Sequence, residues 1–172
     1  ANAHLIASAP AMLEALRQAR ESVYIEMAYL GDPDISAAIT TAAAAGVPVR
    51  VLFSRAANVG NDLNYRTMYQ ICRRAPVDVT FSDRMIHSKL ILVDDRVAIF
   101  GSANISVFSM QKAAELDIVI RDDPAFIVAL KAVVEQRLSA GTPVRSIDEL
   151  GHYSRILATG QQLHQKMTHL VS

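Results

Sequence analysis

Cysteine is almost absent. Cys72 is the only one in 172 residues, which excludes an internal disulfide framework and every zinc pattern built on several cysteines. Long apolar runs are missing too. The richest stretches, near Ile35 to Val51 and Val97 to Phe100, are broken by Thr, Gly, Pro or charge well short of the roughly 20 apolar residues that a membrane span requires. The expectation is a soluble or peripheral chain without a transmembrane segment. Neither sign of charge is in excess, with 17 basic against 17 acidic residues, and a cut at Ile86 leaves eight against eight before it and nine against nine after it. No half is a polybasic or acidic arm, so a grip on nucleic acid by bulk charge is disfavoured, although a local basic groove would escape this sum. The chain also lacks an initiating methionine and a cationic segment followed by an apolar one. Two readings stay open: a targeting peptide removed on export, or excision from a longer chain.

What is present is an ordinary globular balance of 51% hydrophobic and 20% charged residues. That excludes disorder and collagen and suffices for one substantial core. Along the chain, His4 to Ser8 is short and apolar, and Pro10 can open a helix carrying Met12, Leu13, Leu16 and Ala19. Val23, Ile25, Met27 and Tyr29 alternate as a strand, and Gly31-Asp32-Pro33-Asp34 turns into a helix from Ile35 to Ala45, ended by Gly46. Val47 to Phe53 is a buried strand with proline at its entrance. This βαβαβ order predicts an α/β fold with a mixed, largely parallel sheet flanked by helices on both faces.

Ser54 to Asn64 is polar, with Gly60 and three asparagines. It reads either as a substrate loop or as a plain connection capping the next helix, which ends near Arg73-Arg74. Further strands are expected at Val77 to Phe81, Lys89 to Val93, Val97 to Gly101 and Glu115 to Ile120, with a hairpin turn at Asp94-Asp95-Arg96. Asp122-Asp123-Pro124 starts a helix to about Leu138, closed by Gly141-Thr142-Pro143. The catalytic domain is placed at residues 1–143. Residues 144–172 read as a C-terminal helical extension, in which Ile156, Leu163, Met167 and Leu170 are spaced for an amphipathic packing or dimerisation helix.

Chemistry concentrates between His87 and Asn104. His87 and Lys89 lie two apart on a predicted strand, which sets an imidazole beside an ammonium group on one face. The cation disfavours protonation of the ring and keeps a nitrogen free to attack phosphorus. Where the next strand ends, Gly101-Ser102-Ala103-Asn104 offers a permissive backbone, a hydroxyl and an amide for phosphate oxygens, and Lys89 offers the positive charge. Each half of the pattern alone is commonplace. Together they specify six residues at fixed spacing on a strand, hairpin and strand that can bring the halves together.

This spacing, His-x-Lys-x4-Asp-x6-Gly-Ser-x-Asn, resembles the HKD motif of the phospholipase D superfamily at His87, Lys89, Asp94, Gly101, Ser102 and Asn104, without a departure. The βαβαβ run and Ala114-Glu115-Leu-Asp-Ile-Val-Ile are similar to that family as well. The resemblance implies the phospholipase D-like α-β-α sandwich. It also implies a two-step phosphodiester reaction through a phosphohistidine on His87, with Lys89, Ser102 and Asn104 stabilising the phosphoryl oxygens. Glu115 would hydrogen-bond and orient His87, and Asp94 would serve positioning. Neither metal nor cofactor is implied.

A leaving alkoxide needs a proton that the attacking histidine cannot supply, so a second acid is required. In the family resembled it is the histidine of a second motif, and none of His4, His152, His164 and His169 opens one: only His164 has a lysine two residues on, Lys166, and Val171 stands where the motif aspartate would be. The chain therefore carries half a site, completed either by a C2 homodimer or by the other half of a longer two-motif protein. Single-motif members take the first route, and many are nucleases. Two-motif members include phospholipases D, phosphatidylserine synthases and cardiolipin synthases. Ser106 to Ile120 and the tail beyond Val144 resemble the C-terminal half of such a lipid enzyme, which favours phospholipid as substrate and peripheral membrane contact. A homodimeric, metal-independent endonuclease is the alternative, with Arg55, Arg66, Arg73, Arg74 and Arg84 as groove candidates. A non-catalytic phosphate-binding module is the third reading, and it predicts decay of a motif residue. None has decayed.

Overall fold

The computed structural model describes residues 2–6, 8–57 and 60–151. In chain order the elements are β1 (Asn2–Ile6), α1 (Ser8–Gln18), β2 (Val23–Met27), α2 (Pro33–Ala44), β3 (Val49–Ser54), α3 (Asn61–Cys72) and β4 (Asp78–Ser82). Then follow β5 (Lys89–Val93), β6 (Val97–Gly101), α4 (Val107–Gln111), β7 (Asp117–Arg121), α5 (Pro124–Ala140), β8 (Thr142–Pro143) and α6 (Asp148–Gly151). Local chemistry explains the helix starts. Asp32 accepts hydrogen bonds from the backbone N–H groups of Asp34 and Ile35, with Pro33 in the first turn, and Asp123 accepts from Phe126 N–H ahead of Pro124. Such caps satisfy donors that the first turn leaves without partners.

The strands form one mixed sheet in the order β1-β7-β6-β5-β2-β3-β4-β8. The expected mixed α/β sheet is thus present, but parallel pairing is confined to β2–β3 and β3–β4. The remaining neighbours run antiparallel, and β5 and β6 are joined by the turn Asp94-Asp95-Arg96, which is too short for a crossover. Helices cover both faces. One face packs Val23, Ile25, Met27, Ile91 and Ile99 against Met12 and Leu16 of α1, Ile35 and Ile39 of α2 and Met68 of α3. The other packs Tyr24, Leu52, Leu90, Leu92 and Ala98 against Ile127 and Val134 of α5. β2 and β5 are consequently buried along their whole length, so the alternation expected for β2 does not separate an inner from an outer face.

The chain's start supplies the first strand of the expected βαβαβ order, and three details beyond it differ from the sequence expectations. The short apolar start of the chain forms edge strand β1, paired with β7 from Asn2↔Arg121 to Ile6↔Asp117. β2 stops at Met27, and Leu30 forms an isolated bridge with Ile105. The residues expected to close α5 also pair with β4 as β8. Val144 N–H then donates to Val79 O (2.8 Å), and Leu150 of α6 joins the core beside α3, so the first residues after 143 are built into the same body. The amphipathic helix expected around Ile156, Leu163, Met167 and Leu170 lies outside the described residues. Among the described residues no helix is long and apolar enough to cross a membrane.

The turn between β5 and β6 holds Asp94 and Asp95 in left-handed backbone, at φ 53° and 51°, a conformation that aspartate tolerates in hairpins. The Asp94 carboxylate accepts from the backbone N–H groups of Arg20, Glu21 and Ser22 at 2.7 to 3.0 Å. Burial pushes its pKa up, but hydrogen bonds from Ser22, Glu21 and Arg20 outweigh this and hold the carboxyl below its usual range. A carboxylate with a depressed native pKa stabilises the fold above its unfolded value of about 3.9, and that contribution is lost as pH falls through the native value. Because the group is partly open to solvent, Asp94→Ala is expected to cost about 1 kcal/mol at pH 7. The difference from wild type in urea denaturation should shrink towards pH 3.

Candidate active site

The register of the sheet places the motif. Met27, Lys89, Gly101 and Asp117 stand in one row across β2, β5, β6 and β7, at the end of the sheet where β2, β3, β4 and β6 finish. Crevices outside strand carboxyl ends are where α/β sheets bind ligands. After β6 the chain crosses the start of β5 and joins the exit of β2. There the carbonyl of Ile105 accepts from Gly31 and Asp32 N–H, and the Leu30–Ile105 bridge forms. This crossing leads residues 102–104 past the end of the sheet at which Lys89 lies.

β5 begins at Lys89, so His87 lies on the approach to the strand and not within it as expected. The imidazole is exposed, whereas Lys89 is only 7% exposed. The Lys89 ammonium donates to the His87 carbonyl oxygen at 2.7 Å and stands 3.3 Å from Nδ1 and 3.4 Å from Nε2 of the ring. Burial pulls the Lys89 pKa below its ordinary value, with Glu115 acting in the opposite direction. The cluster thus holds an accessible imidazole against a buried lysine.

Glu115 precedes β7 and is not on it. Its Oε2 accepts from Ser102 Oγ at 2.6 Å, and Ser102 Oγ in turn accepts from Leu116 N–H at 3.0 Å. The hydrogen bond expected from Glu115 to His87 is therefore not the one formed in this state. The carboxylate acts on Ser102 directly and on Lys89 through its charge. Asn104 is half-buried, and its side-chain oxygen has no hydrogen-bond partner among the described residues.

Asp94 does not join this group. It stands beyond the far end of β5, roughly 16 Å from Lys89 at about 3.3 Å per residue, where it pins the hairpin turn to the loop before β2. Its place is apart from the other motif side chains, and what it positions there is the hairpin turn.

Gly101 proves to be a packing residue. A Cβ there would meet Asp117 Oδ1 at 2.2 Å, Leu116 O at 2.3 Å and Asp117 Cα at 2.7 Å. The notch is filled by the Asp117 carboxylate, fully buried, whose Oδ1 accepts from Ala103 N–H at 3.2 Å. Backbone atoms cannot yield as a flexible side chain can, so Gly101→Ala is expected to cost about 3 kcal/mol or more. Thermal denaturation would show it, and a Tm within a degree or so of wild type would contradict this packing.

Sequence reasoning missed Asp117 and a second buried carboxylate, Glu26. Glu26 is fully buried and accepts from Tyr24 Oη (2.8 Å), Ser88 Oγ and Arg137 Nη1. Burial first, and then the neighbouring Glu26, drives the Tyr24 phenol far above its ordinary pKa. A charged residue between Ile25 and Met27 in a continuous apolar strand was the available signal. Beside His87 a groove of about 750 Å³ opens between the β4–β5 connection and α5, lined among others by Arg84, Met85, Ile86, Ser88 and Arg137. The other proposed groove arginines do not follow it. Arg55 pairs with Asp83 (3.1 Å) and lies over the Phe81 ring, Arg66 faces Asp62 at 4.0 Å, and Arg73 lies over Tyr69. In the polar loop and first helical turn, Asn61 and Asn64 are buried and bond the backbone of residues 54, 55, 28 and 30, which gives those two a structural role.

Comparison with known proteins agrees with this geometry. Residues 12–138 match the family model described as cardiolipin synthase, PLD-like domain. A phospholipase D of Rickettsia conorii is 30% identical over 106 residues, 61% of this chain and 52% of that protein. Cardiolipin synthase A of Serratia proteamaculans is 31% identical over 120 residues, 66% of this chain and 24% of that protein. The chain thus spans about half the length of the Rickettsia relative and about a quarter of the Serratia one. The crystal structure of Nuc, a phospholipase D family member from Salmonella typhimurium, superposes with a TM-score of 0.73 at 24% identity, over 84% of this chain and 99% of that one. With three quarters of its length matched by the family model, the chain belongs to the PLD-like domain family of cardiolipin synthase, within the phospholipase D superfamily.

Proposed function

We propose that this chain contributes one half of a phosphodiesterase or phosphatidyltransferase site, with His87 as nucleophile and a phospholipid as substrate. The observation that carries the reading is the exposed His87 imidazole held within 3.3 Å of a buried lysine ammonium. A ring nitrogen of His87 would attack phosphorus and form a P–N bond while the P–O bond to the leaving alcohol breaks. The alkoxide would take its proton from the histidine of a second half-site. Water or another alcohol would then give that proton back to the second histidine and attack phosphorus. The P–N bond breaks, and the imidazole is regenerated. Lys89 and the amide of Asn104 would face the equatorial oxygens, and Glu115 would hold Ser102 ready beside them.

Phospholipid is supported by the curated relatives named phospholipase D and cardiolipin synthase and by the apolar Met85 and Ile86 in the groove beside His87. A homodimeric endonuclease is the second reading, favoured by the match to 99% of the Salmonella chain, since single-motif members pair with themselves. Parallel assays on phosphatidylcholine vesicles and on a labelled oligonucleotide, both in EDTA, separate the two. Headgroup release without strand cleavage is expected. Strand cleavage alone, falling steeply with salt, would transfer the reading to the nuclease. Sedimentation of the same samples tells whether activity follows a self-paired species.

A further inference from the structure

The exposed imidazole sits on a short segment pinned from both sides by buried side chains of the neighbouring strands. On one side, Ile86 N–H donates to Ser54 Oγ of β3 at 2.7 Å, and Ser54 is buried. On the other, Ser88 Oγ donates to Glu26 of β2 and accepts from Arg137 Nη1 of α5 at 3.2 Å, while Arg137 also pairs with Glu26. Glu26 points to the α5 face, away from the row that contains Lys89, and reaches the motif only through Ser88.

A fully buried carboxylate costs several kcal/mol unless its oxygens are bonded and its charge is met. Here three donors meet it, and one of them is the residue between the two motif side chains. Apolar packing of β2 against α5 needs no such group, since Leu52, Leu90 and Leu92 already fill that interface.

We propose that Glu26, with Arg137, is a positioning residue that acts through Ser88 to fix the backbone from which His87 and Lys89 project. The proposal rests on the reading of His87 as nucleophile. A nucleophile on an otherwise open loop would sample many orientations, and misplacement by about 1 Å can cost up to 100-fold in rate. The clamp removes that freedom without touching substrate.

The test uses the full chain and the variants Ser88→Ala, Ser88→Thr and Glu26→Gln. Ser88→Ala cuts the link while leaving the Tyr24, Glu26 and Arg137 bonds in place, so the fold should persist even where Glu26→Gln fails to fold. With bis(p-nitrophenyl) phosphate as a generic diester, Ser88→Ala is expected to lower kcat about tenfold with KM within about twofold, and Ser88→Thr to restore most of it. A second readout is independent of turnover: the His87 ring resonances by NMR, assigned with His87→Ala, should shift in Ser88→Ala and return in Ser88→Thr. Wild-type kcat together with unmoved His87 resonances in Ser88→Ala overturns the proposal. If the wild-type chain itself shows no turnover, as a half-site without its second histidine would, the NMR arm alone decides the clamp: moved resonances uphold it and unmoved ones overturn it.

Discussion

Replacing His87 by alanine is expected to lower kcat on the order of 10⁴-fold or more, because the covalent route is lost outright and no described neighbour can take its place. The ring is exposed and accepts no packing load. The same variant should therefore unfold within about 0.5 kcal/mol of wild type. Loss of activity with an unchanged denaturation curve separates chemistry from folding. Activity that survives the substitution would remove His87 from the reaction.

Lys89 gives the second large effect, and with an unusual combination of signs. Lys89→Met removes the cation aimed at the phosphoryl oxygens, and kcat should fall about 10²- to 10³-fold. Burial penalises the charge on this lysine, so an apolar side chain of similar length should leave Tm unchanged or raise it. The lowered pKa has a pH consequence as well. In the window between the native value and the unfolded value of about 10.4, the unfolded chain binds more protons, so stability rises with pH there. Activity moves the other way: its alkaline limb should fall below the ordinary lysine range as the ammonium is lost. A pH–kcat profile flat through pH 10, or a Lys89→Met variant of full activity, would contradict the role given to this lysine.

The division between what the residues announced and what they concealed follows physical lines. Motif spacing, helix caps at Asp32 and Asp123, and the apolar runs of β3 and β5 are local properties, and each appears where the chain predicts it. Strand direction is not local. The βαβαβ start suggested more parallel pairing than β2–β3–β4 carries, since nothing in the residues of β5 says on which edge of β2 it will lie. In the site, the β5–β6 hairpin brings the start of β5, with Lys89, and the end of β6, with Gly101, to the same end of the sheet, and the spacing encodes that hairpin. Glu115 was legible as a neighbour but not its choice of Ser102 as partner. Gly101 was read for backbone freedom, whereas its value is the absence of a Cβ beside Asp117. Glu26 and Arg137 are 111 residues apart in sequence, and no short-range pattern could have joined them.

The most direct test is to quench the protein during turnover of a labelled diester, under non-acidic conditions that preserve P–N bonds, and to map the modified peptide by mass spectrometry. Label carried as a phosphoramidate on the His87 ring, absent from His87→Ala and chased by excess alcohol, is the predicted result. Rapid turnover with no covalent label at any time point, or with label on another side chain, would contradict it.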